Sequence, residues 1–119
     1  MQIKNIFEEL TSHPQGSFLN VAEFNGNNFG TSHVVGVSPV WEMHPDTDEF
    51  FYIIEGEFEI TLLTETSQEH HVAPAGSVFV VPKGLWHKPA APKGAKFIYF
   101  TPGQSLHSEA EDPRLDAHA

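Results

Sequence analysis

The chain has 119 residues, a length suited to one domain with one core. Its formal net charge is -10 and it holds only six Lys and Arg, which argues against a nucleic-acid partner because phosphate binding needs clustered cations. It has no cysteine, so disulfides and thiolate ligands are excluded. Residues 1–10 lack the basic and long apolar regions of a signal peptide, and no stretch approaches a membrane span. The expectation is a soluble cytoplasmic protein with no membrane partner.

In chain order, Asn5 reads as a helix N-cap with Glu8 three positions later, as in a capping box. Ile6, Phe7 and Leu10 give one apolar face, so the pattern predicts a short helical turn over residues 5–11, packed outside the main fold and ended by Ser12-His13-Pro14. Residues 18–24 read as a strand, and Asn25-Gly26-Asn27-Asn28 as a turn built from residues that tolerate positive φ. Residues 33–40 are the next predicted strand, where the internal Gly36 predicts a bulge or a close backbone approach.

Residues 36–56 carry three metal-capable side chains, Glu42, His44 and Glu49. Residues two apart on a strand share a face, which sets Glu42 beside His44. Pro45-Asp46-Thr47-Asp48 then interrupts the alternation with a turn, after which Glu49 can point back at the same place. Phe50-Phe51-Tyr52-Ile53-Ile54 is too short for a core helix, rich in aromatic and β-branched residues, and stopped by Gly56; it reads as a buried strand. Residues 57–64 alternate, with Phe58, Ile60 and Leu62 on one face and Glu57, Glu59 and Thr61 on the other, a half-buried strand with a wet side. After a turn at residues 65–68, His70-His71-Val72 leads to residues 76–87, another apolar strand ended by Pro82-Lys83-Gly84, and this stretch delivers His87. Residues 96–101 are the closing strand, carrying Phe97, Ile98, Tyr99 and Phe100. Residues 108–119 are acidic and nearly without large apolar side chains, so they are expected as a frayed or loosely docked tail on a barrel domain of residues 1–107. Many short strands between Gly, Pro and Asn turns favour a sandwich or barrel.

Held on rigid strands, the imidazoles of His44 and His87 and the carboxylate of Glu49 can occupy one face of an octahedral ion, leaving other positions for water, substrate or dioxygen. Adding Glu42 makes the shell harder and more anionic. Fe(II) or Mn(II) is then favoured over copper, with Zn and Ni still admissible. The other reading of Glu42 is a general base beside the ion. Phe51 and Ile53 share the parity of Glu49 and are expected to line a small, largely apolar pocket, together with Phe79 and Tyr99 from the flanking strands. Trp41 and Trp86 each lie within three residues of a candidate ligand, and read either as core or dimer interface, or as an indole at the pocket mouth. Phe50, Tyr52 and Ile54 would face outward, and a row that apolar needs a cover, so a homodimer is expected. His13, His33, His70, His71, His107 and His118 have no partner at a telling spacing and read as solvated.

The stretches 36–56 and 76–91 resemble the paired motifs of the cupin superfamily, G-x5-H-x-H-x3,4-E-x6-G and G-x5-P-x-G-x2-H-x3-N. The match falls on Gly36, His44, Glu49, Gly56, Gly76, Pro82, Gly84 and His87 with every spacing intact. Glu42 stands where the first motif histidine would be, and Ala91 where the terminal asparagine would be. The resemblance, to small single-domain conserved-barrel cupins of type 2, implies an all-β jelly-roll barrel, a double-stranded β-helix. It carries the metal-ligand role onto His44, Glu49 and His87; for Glu42 only the position matches. Proteins of this family and size include dioxygenases, sugar-phosphate isomerases and epimerases, decarboxylases and lyases. With a 2-His-1-carboxylate core and an apolar wall, the leading expectation is a metal-dependent, dioxygenase-like enzyme acting on a small aromatic or diketone-like molecule. There is no Gly-rich phosphate cradle, and only Lys83, Lys88, Lys93 and Lys96 lie near the second motif, which disfavours sugar phosphates. The alternatives are a non-catalytic module that binds or senses a small ligand, and a vestigial barrel, since one fold hosts many functions.

Overall fold

Two strands of fifteen residues each, β4 (Glu49–Leu63) and β7 (Trp86–Phe100), lie antiparallel and form the spine of the computed structural model, which describes residues 1–115. On one side of this spine, β7 pairs with β2 (Asn27–Val37) and β3 (Trp41–Met43), and β2 pairs in turn with β1 (Phe18–Phe24). On the other side, β4 pairs with β5 (Gln68–Pro74) along one half and β6 (Val78–Val81) along the other. A last strand, β8 (Leu106–Ser108), adds to the free edge of β3. The result is all-β, a sheet curled into the jelly-roll barrel, with one short helix α1 (Ile6–Thr11) outside it. Asn5 caps that helix by accepting a hydrogen bond from the Glu8 amide at 3.1 Å, as the capping pattern predicts. No helix among the described residues is long and apolar enough to cross a membrane.

The spine is longer than alternation alone indicates, because both strands run through residues that usually end strands. Gly56 sits at φ +81, and a Cβ there would collide with the Gly94 carbonyl. At this contact the register slips: Gly56 faces Ala95, but the next pair is Glu59 with Ala90. The extra residues of β7 include Pro92, which has no N–H to lose from the ladder. Trp86 to Ala95 therefore belongs to the closing strand, which the sequence alone places at 96–101. The bulge expected at Gly36 is also present, as a register shift between Val34 and Gly36.

The one-residue register shift between Ile53 and Glu55, where Ile54 has no partner of its own on β7, reverses the facing of β4. Before it the odd residues Glu49, Phe51 and Ile53 are buried; after it the even residues Phe58 and Ile60 are. Both sets enter one core, where the Phe51, Phe58, Phe79, Phe97 and Tyr99 rings pack with centroids 5.0–6.0 Å apart. Full burial of each phenylalanine contributes about 1.5–3 kcal/mol. The C-terminal residues differ from the loose tail expected after residue 107: that boundary falls inside β8, and Arg114 donates to the carbonyls of Thr64 (2.7 Å) and Ser67 (3.0 Å). The Ser67 carbonyl also closes the turn after β4 by accepting from the Thr64 amide at 2.9 Å, so the guanidinium clamps the turn as it forms. Residues 116–119 of the expected tail lie outside the described residues.

Candidate metal centre

Four side chains from three strands and one turn meet at one point. Glu42 extends from β3, His44 follows it across the start of the 45–48 turn, Glu49 opens β4 and His87 lies near the start of β7. Glu42 pairs with His87 across the β3–β7 ladder, and the Gly84 amide donates to the His44 carbonyl at 2.8 Å, which ties the two motif segments together. Asp48 accepts from the Lys83 amide at 2.9 Å and fixes the two turns against each other.

His44 Nε2 stands 2.9 Å from Glu42 Oε1 and 3.2 Å from Glu49 Oε1; His87 Nε2 stands 3.4 and 3.1 Å from the same two oxygens. Neighbouring ligands at right angles on an ion with bonds near 2.1 Å are about 3 Å apart, so these spacings suit one shared ion. The outer atoms are held as well. His44 Nδ1 lies 3.2 Å from the Gln104 carbonyl and 3.1 Å from Ser105 Oγ, and His87 Nδ1 lies 3.3 Å from the Leu85 carbonyl. A carbonyl only accepts, so each Nδ1 carries a proton, and each ring that gives up its Nε2 proton turns that lone pair to the centre. Thr101 Oγ1 donates to Glu49 Oε2. His87 Nε2 is fully buried and makes no well-aligned hydrogen bond; only the Glu42 and Glu49 oxygens lie near it, at the point where an ion would sit. On this donor set a divalent cation fits.

The electrostatics agree. Burial disfavours charge on both imidazoles, yet the two carboxylates facing them, Glu42 and Glu49, outweigh it as acceptors and as charges and push His44 up to about 10 and His87 up to about 9. Burial likewise opposes ionisation of Glu42 and Glu49, and their bonds to the two histidines outweigh it, holding both carboxyls below the usual range. With no ion bound, the group is two imidazoliums balancing two carboxylates. A divalent ion displaces two protons and leaves the same net charge.

The quartet lines a cavity of about 730 Å³ together with Phe51, Phe58, Phe97, Tyr99 and, towards the opening, Phe18, Val35 and Val37. Among the described residues its wall contains no Lys or Arg. Phe51 and Tyr99 line it as expected, whereas four other expected pocket residues do not. Trp41 and Trp86 form a separate buried cluster with Leu63, flanked by Met43 and Leu106. They adjoin Glu42 and His87 in sequence, and adjacent strand residues face opposite ways. Ile53 is sealed in the core one rung beyond Phe51, and Phe79 stacks behind Phe51 at 5.0 Å. His107, read from the sequence as solvated, is 56% exposed, and it also lines the cavity and places Nε2 3.0 Å from Glu42 Oε2.

Comparison with known proteins follows this geometry. A family model described as a Cupin domain matches residues 33–103. A cupin-2 domain protein from Shewanella frigidimarina is similar in structure, with 30% identity and a TM-score of 0.71 over 84% of this chain and 94% of that one. Hydroquinone 1,2-dioxygenase from Sphingomonas, solved with 4-hydroxybenzoate bound, shares the fold at 17% identity and a TM-score of 0.68, over 81% of this chain and 71% of that one. Oxalate decarboxylase from Bacillus subtilis, which has Mn(II) centres, does so at 20% identity and a TM-score of 0.58, over 66% of this chain but 23% of that one. No functionally curated protein matches the sequence. The family model spans more than half of the chain and covers both ligand-bearing stretches, and the chain belongs to the cupin family.

Proposed function

We propose that the protein is a metal-dependent, dioxygenase-like enzyme that binds one divalent ion through His44, Glu49 and His87, with Glu42 either a fourth ligand or the base beside it, and acts on a small neutral organic molecule. The observation that carries this reading is the convergence of the four donor atoms, all within 4.8 Å of one another, on the wall of an apolar cavity. Two nitrogens and two carboxylate oxygens favour Fe(II) or Mn(II). Such an ion, when bound, supplies Lewis acidity towards substrate oxygens and a site for dioxygen.

The lining supports the substrate class. Two carboxylates balance a divalent ion, and no cation is left over in the wall for a dianion or a phosphate. A phenol or a β-diketone meets the site as a neutral molecule and can give up one proton on binding. Glu42 is the group within reach to take that proton, unless it is itself a ligand. Phe51, Phe58 and Phe97 exclude water and offer flat apolar surface to a ring. The fold shared with a hydroquinone dioxygenase is compatible with this reading and adds no residue to it. Absence of cysteine supports a cytoplasmic setting. The outward pairs Phe50 with Val80 and Tyr52 with Val78 support a homodimer, for which a monomer by light scattering at micromolar concentration is the contrary result.

The test uses protein purified without a chelating tag, reconstituted with Fe(II) or Mn(II), and assayed for metal content and for oxygen uptake with phenols and β-diketones. One ion per chain with turnover is expected. Stoichiometric ion without turnover on any of these would favour a binding module, and failure to take up either ion would overturn the metal reading. Glu42→Gln sharpens the assignment: ion retained with turnover lost marks a base, and loss of both marks a ligand.

A further inference from the structure

The least buried member of the quartet is Glu42, whose side chain is 31% exposed while those of His44, Glu49 and His87 are almost sealed. A carboxylate in that position is free to rotate, to offer an ion both oxygens, or to turn to water. Its geometry here is fixed instead. Glu42 Oε1 points inward, between His44 and His87, and Oε2 points outward to His107 Nε2 at 3.0 Å. The contact follows from topology: β8 adds to β3 with Glu42 directly opposite His107, so the two side chains leave the ladder on one face. The same C-terminal segment supplies the Gln104 carbonyl and the Ser105 hydroxyl to His44.

We propose that His107 is a positioning residue that engages the outer oxygen of Glu42, so that Glu42 gives a bound ion one oxygen and leaves adjacent coordination positions open for substrate. This rests on the metal reading above and adds to it a residue outside the ligand set. A donor on Oε2 sets the rotation of the carboxylate and removes the competing two-oxygen mode. The family motifs have no counterpart to this arrangement among the residues they match, because Glu42 stands where the motif has a histidine.

The experiment compares His107→Gln with His107→Leu, two side chains of similar size of which only the first can donate. Mn(II) affinity is measured by calorimetry and the Mn(II) environment by electron paramagnetic resonance, each on the full chain. Loss of an outer-sphere partner of a metal ligand typically lowers affinity 10–100-fold; the His107 side chain is 56% exposed, so the lower end of that range, about tenfold, is the change expected for His107→Leu, with an altered spectrum. His107→Gln should restore both to within about threefold, a recovery that a merely structural role would not produce. Wild-type affinity and spectrum in His107→Leu would overturn the proposal, as would an equal loss in both His107 variants. A folded wild type that binds no Mn(II) is a different failure, because it overturns the metal reading and takes the role of His107 with it.

Discussion

Strand β4 carries two glutamates ten positions apart, and each faces a histidine at nearly the same distance. Glu49 Oε1 lies 3.2 Å from His44 Nε2, and Glu59 Oε1 lies 3.0 Å from His70 Nε2. The histidine side chains are 4% and 51% exposed. The one-residue shift at Ile54 between them turns the first glutamate into the barrel and the second out of it. One pair has a second carboxylate, a second imidazole and anchored outer atoms around it. The other has Thr61 and solvent. Distance alone therefore does not make a site: exclusion of water and convergence do.

The strongest way to break the comparison is to remove a charge from the buried group. Glu49→Ala leaves two imidazoles facing one carboxylate in a dry pocket. Losing one partner of a buried ion pair costs about 3–5 kcal/mol, which should appear as a lower urea midpoint in the metal-free protein. The variant should also fail to hold stoichiometric metal. A change below about 1 kcal/mol would mean that the pocket is wet and that the quartet behaves as a surface pair.

A gentler perturbation is pH. In the metal-free protein, His44 and His87 are raised from 6.5 to about 10 and about 9, so their contribution is complete below pH 6.5 and is lost as pH rises through 9 to 10. The two carboxyls are lowered, so their contribution is present above about 4.5 and is lost only as pH falls well into the acid range. Thermal stability of the metal-free form should therefore be greatest near pH 5–6 and fall towards pH 9, on the order of 10 °C for a domain of this size. Metal must displace the two imidazole protons, so the stabilisation by Mn(II) should grow over the same interval. A metal-free melting temperature that stays level from pH 6 to 9 would contradict the paired, charged state of the two rings.

Much of this centre was legible in the chain. The two-residue step from Glu42 to His44 and the turn before Glu49 are local, and short-range geometry determines where such side chains point. The spacing around His87 is local too. What could not be read depends on pairing between distant segments. His107 has no telling neighbour in sequence because its partner lies 65 positions away and meets it only when β8 joins β3. The length of β7 was hidden by Pro89, Pro92 and Gly94, which normally end strands and here sit in or beside a bulge opposite Gly56. Trp41 and Trp86 read from the chain either as core or as an indole at the pocket mouth, and the core reading holds. The alternation that places Glu42 and His44 together also sends their immediate neighbours to the opposite face, which decides between the two readings.

The smallest effect belongs to the outer pair, and it is the control that gives the comparison its meaning. His70 is half exposed, and its contacts with Glu59 and Thr61 compete with water at every step. An exposed ion pair is worth about 0–1 kcal/mol and weakens with salt, so His70→Ala should shift the urea midpoint by no more than that amount. Metal stoichiometry and the pH profile of the melting temperature should not move, because nothing near His70 reaches the cavity. If His70→Ala did lower metal content, the ion would be held on the outer face of β4 and β5. The buried quartet would then be an internal ion pair that stabilises the barrel, and the cavity would lose its chemistry.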